Sequence, residues 1–258
     1  MRKICRRWPY SKGGIGCLLA SRNGVKGMTK TAKPTIETLL NAALSHVAFD
    51  GWSAATFTAA ANDIGISDAE AKELAPRGAL DLAVAYHRRG DQMMIDRLKH
   101  ADLSELRFRD KVATALWFRV EAMDDREAVR RATAFFSLPT HAAEGAKLLW
   151  ETADHIWTAL GDTSDDLNWY SKRATLSAVW ASTVLFWLGD DSSGQADTAA
   201  FIDRRIEDVM RIEKVKGQLR ENPLTKPFME LQASLFKRVR MPDMSHLNDL
   251  PGRWRGPK

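Results

Sequence analysis

The sequence predicts an all-α fold with a helix-turn-helix-like segment at its N-terminal end, a larger helical body and a short amphipathic helix towards the C-terminus. Three observations predict it. From Thr35 onward, apolar residues recur at three- and four-residue spacing in one segment after another, as helices with a single buried face require. Each segment is opened by a capping residue or closed by glycine or proline. No run alternates apolar and polar residues, so no strand competes.

The first helix spans about Thr35 to Phe49, with Ile36, Leu39, Leu40, Ala43, Leu44 and Val47 on one face and Gly51 as its stop. Ser53 caps a second helix ending near Ile64, Gly65 supplies a tight turn, and Ser67-x-x-Glu70 forms a capping box for a short third helix. A long fourth helix covers about Gly78 to Lys99, with Leu80, Val84, His87, Met94, Ile95 and Leu98 at helical spacing. Ser104 is expected to cap the fifth, which gathers Leu106, Ala113, Leu116, Trp117, Val120 and Met123. The sixth runs from about Arg126 to Ser137 before Pro139, the seventh from about His141 to Leu160, and the eighth from about Asp165 to Leu188, the last two closed by Gly161 and Gly189. After Ser192-Ser193-Gly194 a ninth helix continues to about Leu219, and Asn222-Pro223 interrupts the chain before a last one, about Lys226 to Val239.

Residues 174–188 carry no charge in fifteen positions. A membrane span needs about 20 apolar residues, so this run is read as a helix buried on all sides. Six of the nine tryptophans, Trp117, Trp150, Trp157, Trp169, Trp180 and Trp187, fall in the fifth to eighth helices. They make either a core rich in large side chains or the wall of an apolar cavity.

Charge divides the chain. The net charge is +5, but nine basic residues precede the first acid, Glu37, and the stretch from Pro223 holds seven basic residues against three acidic ones. Residues 34–222 therefore carry a net charge of −8. An acidic body is a poor partner for nucleic acid, whose binding relies on cations placed on the folded domain. The expected organisation is a disordered or untranslated basic extension over 1–33, a helical domain over 34–222 (helix-turn-helix-like to 77, body from 78), a membrane-contact helix over 223–240 and a flexible tail over 241–258. Met28 is a natural start, and a transit peptide is the alternative reading of the leading segment.

Catalytic chemistry is hard to place. Both cysteines, Cys5 and Cys17, precede the helical domain, which is left without a thiol for a disulfide, a zinc site or a nucleophile. The six histidines form no His-x-x-x-His pair, and Glu151, Asp154 and His155 supply only one fragment of what a di-iron bundle needs from several helices. No Gly-rich phosphate loop and no nucleophile elbow occurs. No metal and no cofactor is expected.

The first four helices, with Gly65-Ile66-Ser67 at the turn and Ala75-Pro76-Arg77-Gly78-Ala79-Leu80 after it, resemble the N-terminal domain of TetR-type regulators. In such proteins the second helix of the pair enters the major groove. Here it carries Asp68, Glu70 and Glu73 against a lone Lys72, a pattern that repels phosphate. Further on stands Asp154-x-x-Trp157-x-x-x-Gly161-Asp162-x-Ser164-x-Asp166-x-Asn168-Trp169-Tyr170-x-x-Arg173, with Gly51-Trp52-Ser53 upstream and Leu138-Pro139 between. This string resembles the ubiquinone-biosynthesis accessory family that shares the TetR-like fold and supports demethoxyubiquinone hydroxylase. The resemblance implies a homodimeric, non-catalytic protein that binds an isoprenoid quinone or a phospholipid and presents the quinone intermediate to the hydroxylase. It also implies that Asn168, Trp169, Tyr170 and Arg173 belong to the docking surface, with core packing of both rings as the alternative.

Trp117, Trp150, Trp157, Trp180 and Phe186 are the candidate lipid-binding residues, chosen for their uncharged or periodic surroundings. In the last helix Phe228, Leu231, Leu235, Phe236 and Val239 follow amphipathic spacing, with Lys237 and Arg238 beside them. Such a helix suits reversible attachment to a membrane surface, or else docking against the body or a second subunit. The expected place is cytoplasmic, peripheral on the inner face of the membrane, and on the matrix side in a mitochondrion. A TetR-type transcriptional regulator with an apolar effector is the second reading.

Overall fold

The computed structural model describes residues 33–163 and 167–221, with the side chains of the last helix described through Arg211. Among these residues every regular element is helical: α1 (Ile36–Asp50), α2 (Ala54–Asp63), α3 (Asp68–Leu74), α4 (Ala79–His100), α5 (Phe108–Glu121), α6 (Arg126–Ser137), α7 (Ala142–Ala159), α8 (Leu167–Leu188) and α9 (Ala196–Glu221), with a 3-10 turn at Ser193–Gln195 before α9. Among the described residues the all-α architecture expected from the sequence is the one observed.

Local chemistry explains most boundaries. Thr35 caps α1 through a reciprocal pair with Thr38, and Gly51 closes it at φ 64. At that φ a side chain would crowd the backbone, so glycine ends the helix. Ser67 and Glu70 form the expected capping box of α3, and Asp125 caps α6 by accepting from the Ala128 amide. One start is displaced. The Ser104 amide and hydroxyl both donate to the Asp102 carboxylate, at 3.0 and 2.7 Å, which spends Ser104 on a turn and lets α5 begin four residues later at Phe108.

The N-terminal helices are locked to the body by Trp52. Its indole Nε1 donates to the Ala128 carbonyl of α6 at 3.2 Å, its ring lies 5.6 Å from that of Tyr86 on α4, and Arg131 of α6 donates to the Ala48 carbonyl at 3.0 Å. A cation on the terminal carbonyls of α1 also suits the helix dipole. In the body α7 lies against α4 and α8, and α9 against α5 and α8. The core runs through Leu40, Leu82, Met94, Leu116, Leu148, Ile156, Trp180 and Ile202, all nearly inaccessible to solvent.

The uncharged stretch of α8 is not buried all round. Leu176, Val179, Trp180, Thr183 and Trp187 face inward, but Leu185 is 61% exposed and Ala174 and Ala178 are also exposed. Absence of charge does not show whether a neighbour covers every side of a helix, and here one side has no covering element among the described residues.

Candidate functional site

Close approach of helices builds one end of an internal cavity of about 370 Å³. Gly145 lets α7 lie directly against α6, because a Cβ at that position would stand 2.8 Å from the Phe136 Cβ. Val129, Phe136, Leu148, Leu149, Trp180 and Val184 supply apolar wall. Burial grades along the lining. Gly90, Arg119, Leu148 and Trp180 are buried at one end, whereas Ser137, Ala142, Ala146 and Leu185 are exposed at the other. The cavity is thus a blind pocket that opens between α6, α7 and α8.

Its closed end is polar. Asp91 of α4 is 1% exposed and receives the Arg119 Nε–H of α5 at 2.6 Å, while Arg119 Nη2 donates to the His87 carbonyl at 3.0 Å. Gly90 makes room for this guanidinium: a Cβ there would come within 2.5 Å of Nη1. The Thr152 hydroxyl of α7 lies 3.0 and 3.1 Å from the two Asp91 oxygens and 2.9 Å from His87 Nε2, and His155 Nδ1 lies 3.5 Å from Asp91. Burial works to raise Asp91, but His155 and the Arg119 guanidinium outweigh it and hold the carboxylate at about 2. Burial, with Arg119 alongside, pushes His87 down to about 4, so its ring is neutral at pH 7. His155 is raised, chiefly by its contact with Asp91. A second cavity of about 340 Å³ lies between α5, α8 and α9, lined by Phe108, Val112, Trp157, Leu176 and Ile206 among others.

Of the five candidate lipid-binding residues, Trp180 lines the first cavity and Trp157 the second. The other three lie elsewhere. Phe186 stacks on Phe201 of α9 at 4.4 Å, Trp117 is half-buried on α5, and Trp150 joins an aromatic group on the α7–α8 surface. That group contains two of the expected docking residues: Trp150 sits 5.8 Å from Trp169 and 6.2 Å from Tyr170, and the last two meet edge to face at 4.6 Å. Tyr170 is 38% exposed and Trp169 half-buried, so neither ring is lost in the core.

Arg173 differs from the expectation of a surface contact. It is 2% exposed, bound to Asp154 at 2.6 Å and Asp162 at 3.1 Å, and its guanidinium lies 3.9 Å from the centre of the Trp169 ring. Its long stem carries the charge inward, and it supports the aromatic surface from beneath. The Asn168 side chain and Phe228, Leu231, Leu235, Phe236, Val239, Lys237 and Arg238 lie outside the described residues. Glu151, Asp154 and His155, adjacent in sequence, take separate partners: Arg88, Arg173 and Asp91.

The polar network was missed in the sequence, although a signal was present. Val84, His87, Asp91, Met94 and Leu98 lie on one stripe of α4, so Asp91 occupies an apolar position. Arg119 interrupts the buried face of α5 and Thr152 that of α7 in the same way. Charged residues are almost never fully buried unless paired, and three such interruptions on neighbouring helices mark a buried cluster.

The chain matches the family model described as COQ9 over residues 142–213, a stretch that holds the whole string from Asp154 to Arg173. It is 29% identical over 192 residues to the ubiquinone biosynthesis protein COQ9, mitochondrial, of Rattus norvegicus, covering 70% of this chain and 61% of that protein. The corresponding human protein is 28% identical, covering 70% and 59%, and the probable ubiquinone biosynthesis protein coq9 of Dictyostelium discoideum is 27% identical, covering 71% and 62%. The chain thus spans about six-tenths of the length of these curated relatives. Among solved structures it is similar to a TetR transcriptional regulator from Nitrosomonas europaea ATCC 19718, with a TM-score of 0.56 at 17% identity over 67% of this chain and 95% of that one. That likeness concerns the fold. The family resemblance carried by the Asn-Trp-Tyr string is borne out by these matches.

Proposed function

We propose that this relative of the COQ9 proteins serves in ubiquinone biosynthesis as a non-catalytic accessory protein, which holds the isoprenoid quinone intermediate and presents it to a hydroxylase. The observation that carries the reading is the blind apolar pocket between α6, α7 and α8. Its volume of about 370 Å³ falls within the roughly 300–1,000 Å³ typical of ligand sites. An apolar pocket of this kind takes up hydrocarbon because burying each methylene of a tail is worth about 0.8 kcal/mol.

The Trp150, Trp169 and Tyr170 group is the surface we assign to the hydroxylase, since partly exposed aromatic rings held rigidly from below are favoured anchors at interfaces. The mitochondrial names of the relatives support a place on the matrix side of a membrane in a eukaryotic cell. No helix among the described residues is long and apolar enough to cross a membrane. Attachment is therefore assigned to the basic amphipathic segment over 226–239, and the protein works as a homodimer.

Filling the pocket tests the reading directly. Ala181→Trp places an indole among the lining residues. Mass spectrometry of lipids extracted from the purified protein is expected to find a prenylated quinone in the wild type and a large loss of it in this variant. Equal lipid occupancy in both would refute the pocket as the binding site.

A further inference from the structure

The closed end of the pocket holds hydrogen-bond donors that the protein itself does not use. The Arg119 guanidinium is 4% exposed and lines the cavity, and its bonds to Asp91 and to the His87 carbonyl engage Nε and Nη2. Nη1 has no hydrogen-bond partner among the described residues. Trp180, 1% exposed at the same end, keeps its indole Nε1–H unpartnered as well. Unused donors at the bottom of an otherwise apolar pocket are costly unless something supplies an acceptor.

We propose that Arg119 is the head-group anchor of the pocket: it donates from Nη1 to a carbonyl or hydroxyl oxygen of an uncharged ring, so that the ligand enters head first and leaves its tail towards Leu185. This inference rests on the lipid-binding reading above and adds to it the class of head group and the direction of entry.

The charges at the site decide between neutral and anionic heads. Asp91 already neutralises Arg119 at 2.6 Å, and His87 is uncharged near neutrality. An anionic head would meet the Asp91 carboxylate across the guanidinium, with no further cation among the pocket-lining residues. Burying an ion without a dedicated counter-ion is strongly unfavourable, whereas a carbonyl oxygen needs only the free N–H. The same geometry explains Gly90: any side chain there would displace the guanidinium from the pocket.

The test uses the full chain and three probes titrated calorimetrically: a benzoquinone with a two-isoprene tail, the same tail as a hydrocarbon, and its phosphate monoester. A hydrogen bond from a charged donor predicts that the wild type prefers the quinone over the hydrocarbon by about tenfold or more, with no such gain for the phosphate. The paired substitution Asp91→Leu with Arg119→Met removes both charges together, avoids a stranded carboxylate, and is expected to bring the quinone down to the hydrocarbon's affinity. Gly90→Ala, which keeps both charges but displaces the guanidinium, is expected to do the same if the paired variant does not fold. Equal affinity for quinone and hydrocarbon in the wild type overturns the anchor and leaves the pocket standing, as does a preference for the phosphate or a quinone preference that survives the substitutions. Failure of all three probes to bind overturns the lipid-binding reading itself.

Discussion

His87 couples the buried network to pH. Its folded pKa of about 4 lies below the ordinary value of 6.5 because burial and Arg119 oppose a second positive charge. Between these two values the unfolded chain takes up a proton that the folded protein refuses, so stability falls as pH falls from 6.5 towards 4, by up to about 3 kcal/mol. His155 does not offset the loss. Its raised pKa contributes stability that is fully present below 6.5 and is lost only as pH rises through the folded value. Asp91 acts outside this window, its contribution present above 3.8 and lost as pH falls through about 2. His87→Gln is therefore expected to flatten denaturant-measured stability between pH 6.5 and 4 relative to the wild type, and a parallel decline in the two proteins would exclude His87 as the cause. The residues that form this network were the least legible part of the chain. Periodicity marks the buried stripe of α4 correctly, but a method that looks for apolar residues passes over Asp91 within it. Pairing with Arg119, 28 positions away, is what makes its burial tolerable, and spacing along one helix does not reveal that.

The joint between α7 and α8 shows how an element serves a surface. Arg173 holds Asp154 and Asp162 together across it and lies beneath Trp169. Arg173→Met removes the bonds to Asp154 and to the buried Asp162, which keeps Lys172 at 2.8 Å, and is expected to lower stability by about 2 kcal/mol. Trp169→Lys alters only the half-exposed ring, and is expected to leave the melting temperature nearly unchanged while abolishing hydroxylase capture in a pull-down. If both variants retain capture, the α7–α8 surface is not the docking site. Helix existence and most boundaries could be read from the sequence because caps and glycines act locally. The α5 start could not, because Asp102 competes for Ser104, and the open side of α8 could not, because solvent exposure depends on which helices lie against it.

At the scale of the molecule, a fold similar to that of a TetR transcriptional regulator carries an exposed α3 in which Asp68, Glu70 and Glu73 face solvent with Lys72. Glu70 is further committed to capping its own helix, through bonds of 2.9 and 2.7 Å to the Ser67 amide and hydroxyl. The first two helices also serve the body: α1 bears on α4 and α6 and α2 on α4, with Trp52 between them, and they help fix the helices that wall the pocket.

Leu185 at the pocket's open edge bears on the speed of exchange more than on occupancy. In the lipid-binding reading proposed above, a tail leaving the cavity would pass first over this exposed leucine, and where a bilayer or a partner covered the edge it would move from hydrocarbon to hydrocarbon without being wetted. Each methylene exposed to water in transit would add about 0.8 kcal/mol to the barrier, so transfer should depend on collision with an acceptor surface and hardly at all on free lipid in solution. Leu185→Asp is expected to slow transfer of a fluorescent prenylquinone to vesicles severalfold, a larger factor than its effect on the equilibrium amount bound, and stopped-flow and equilibrium titrations can measure the two on the same sample.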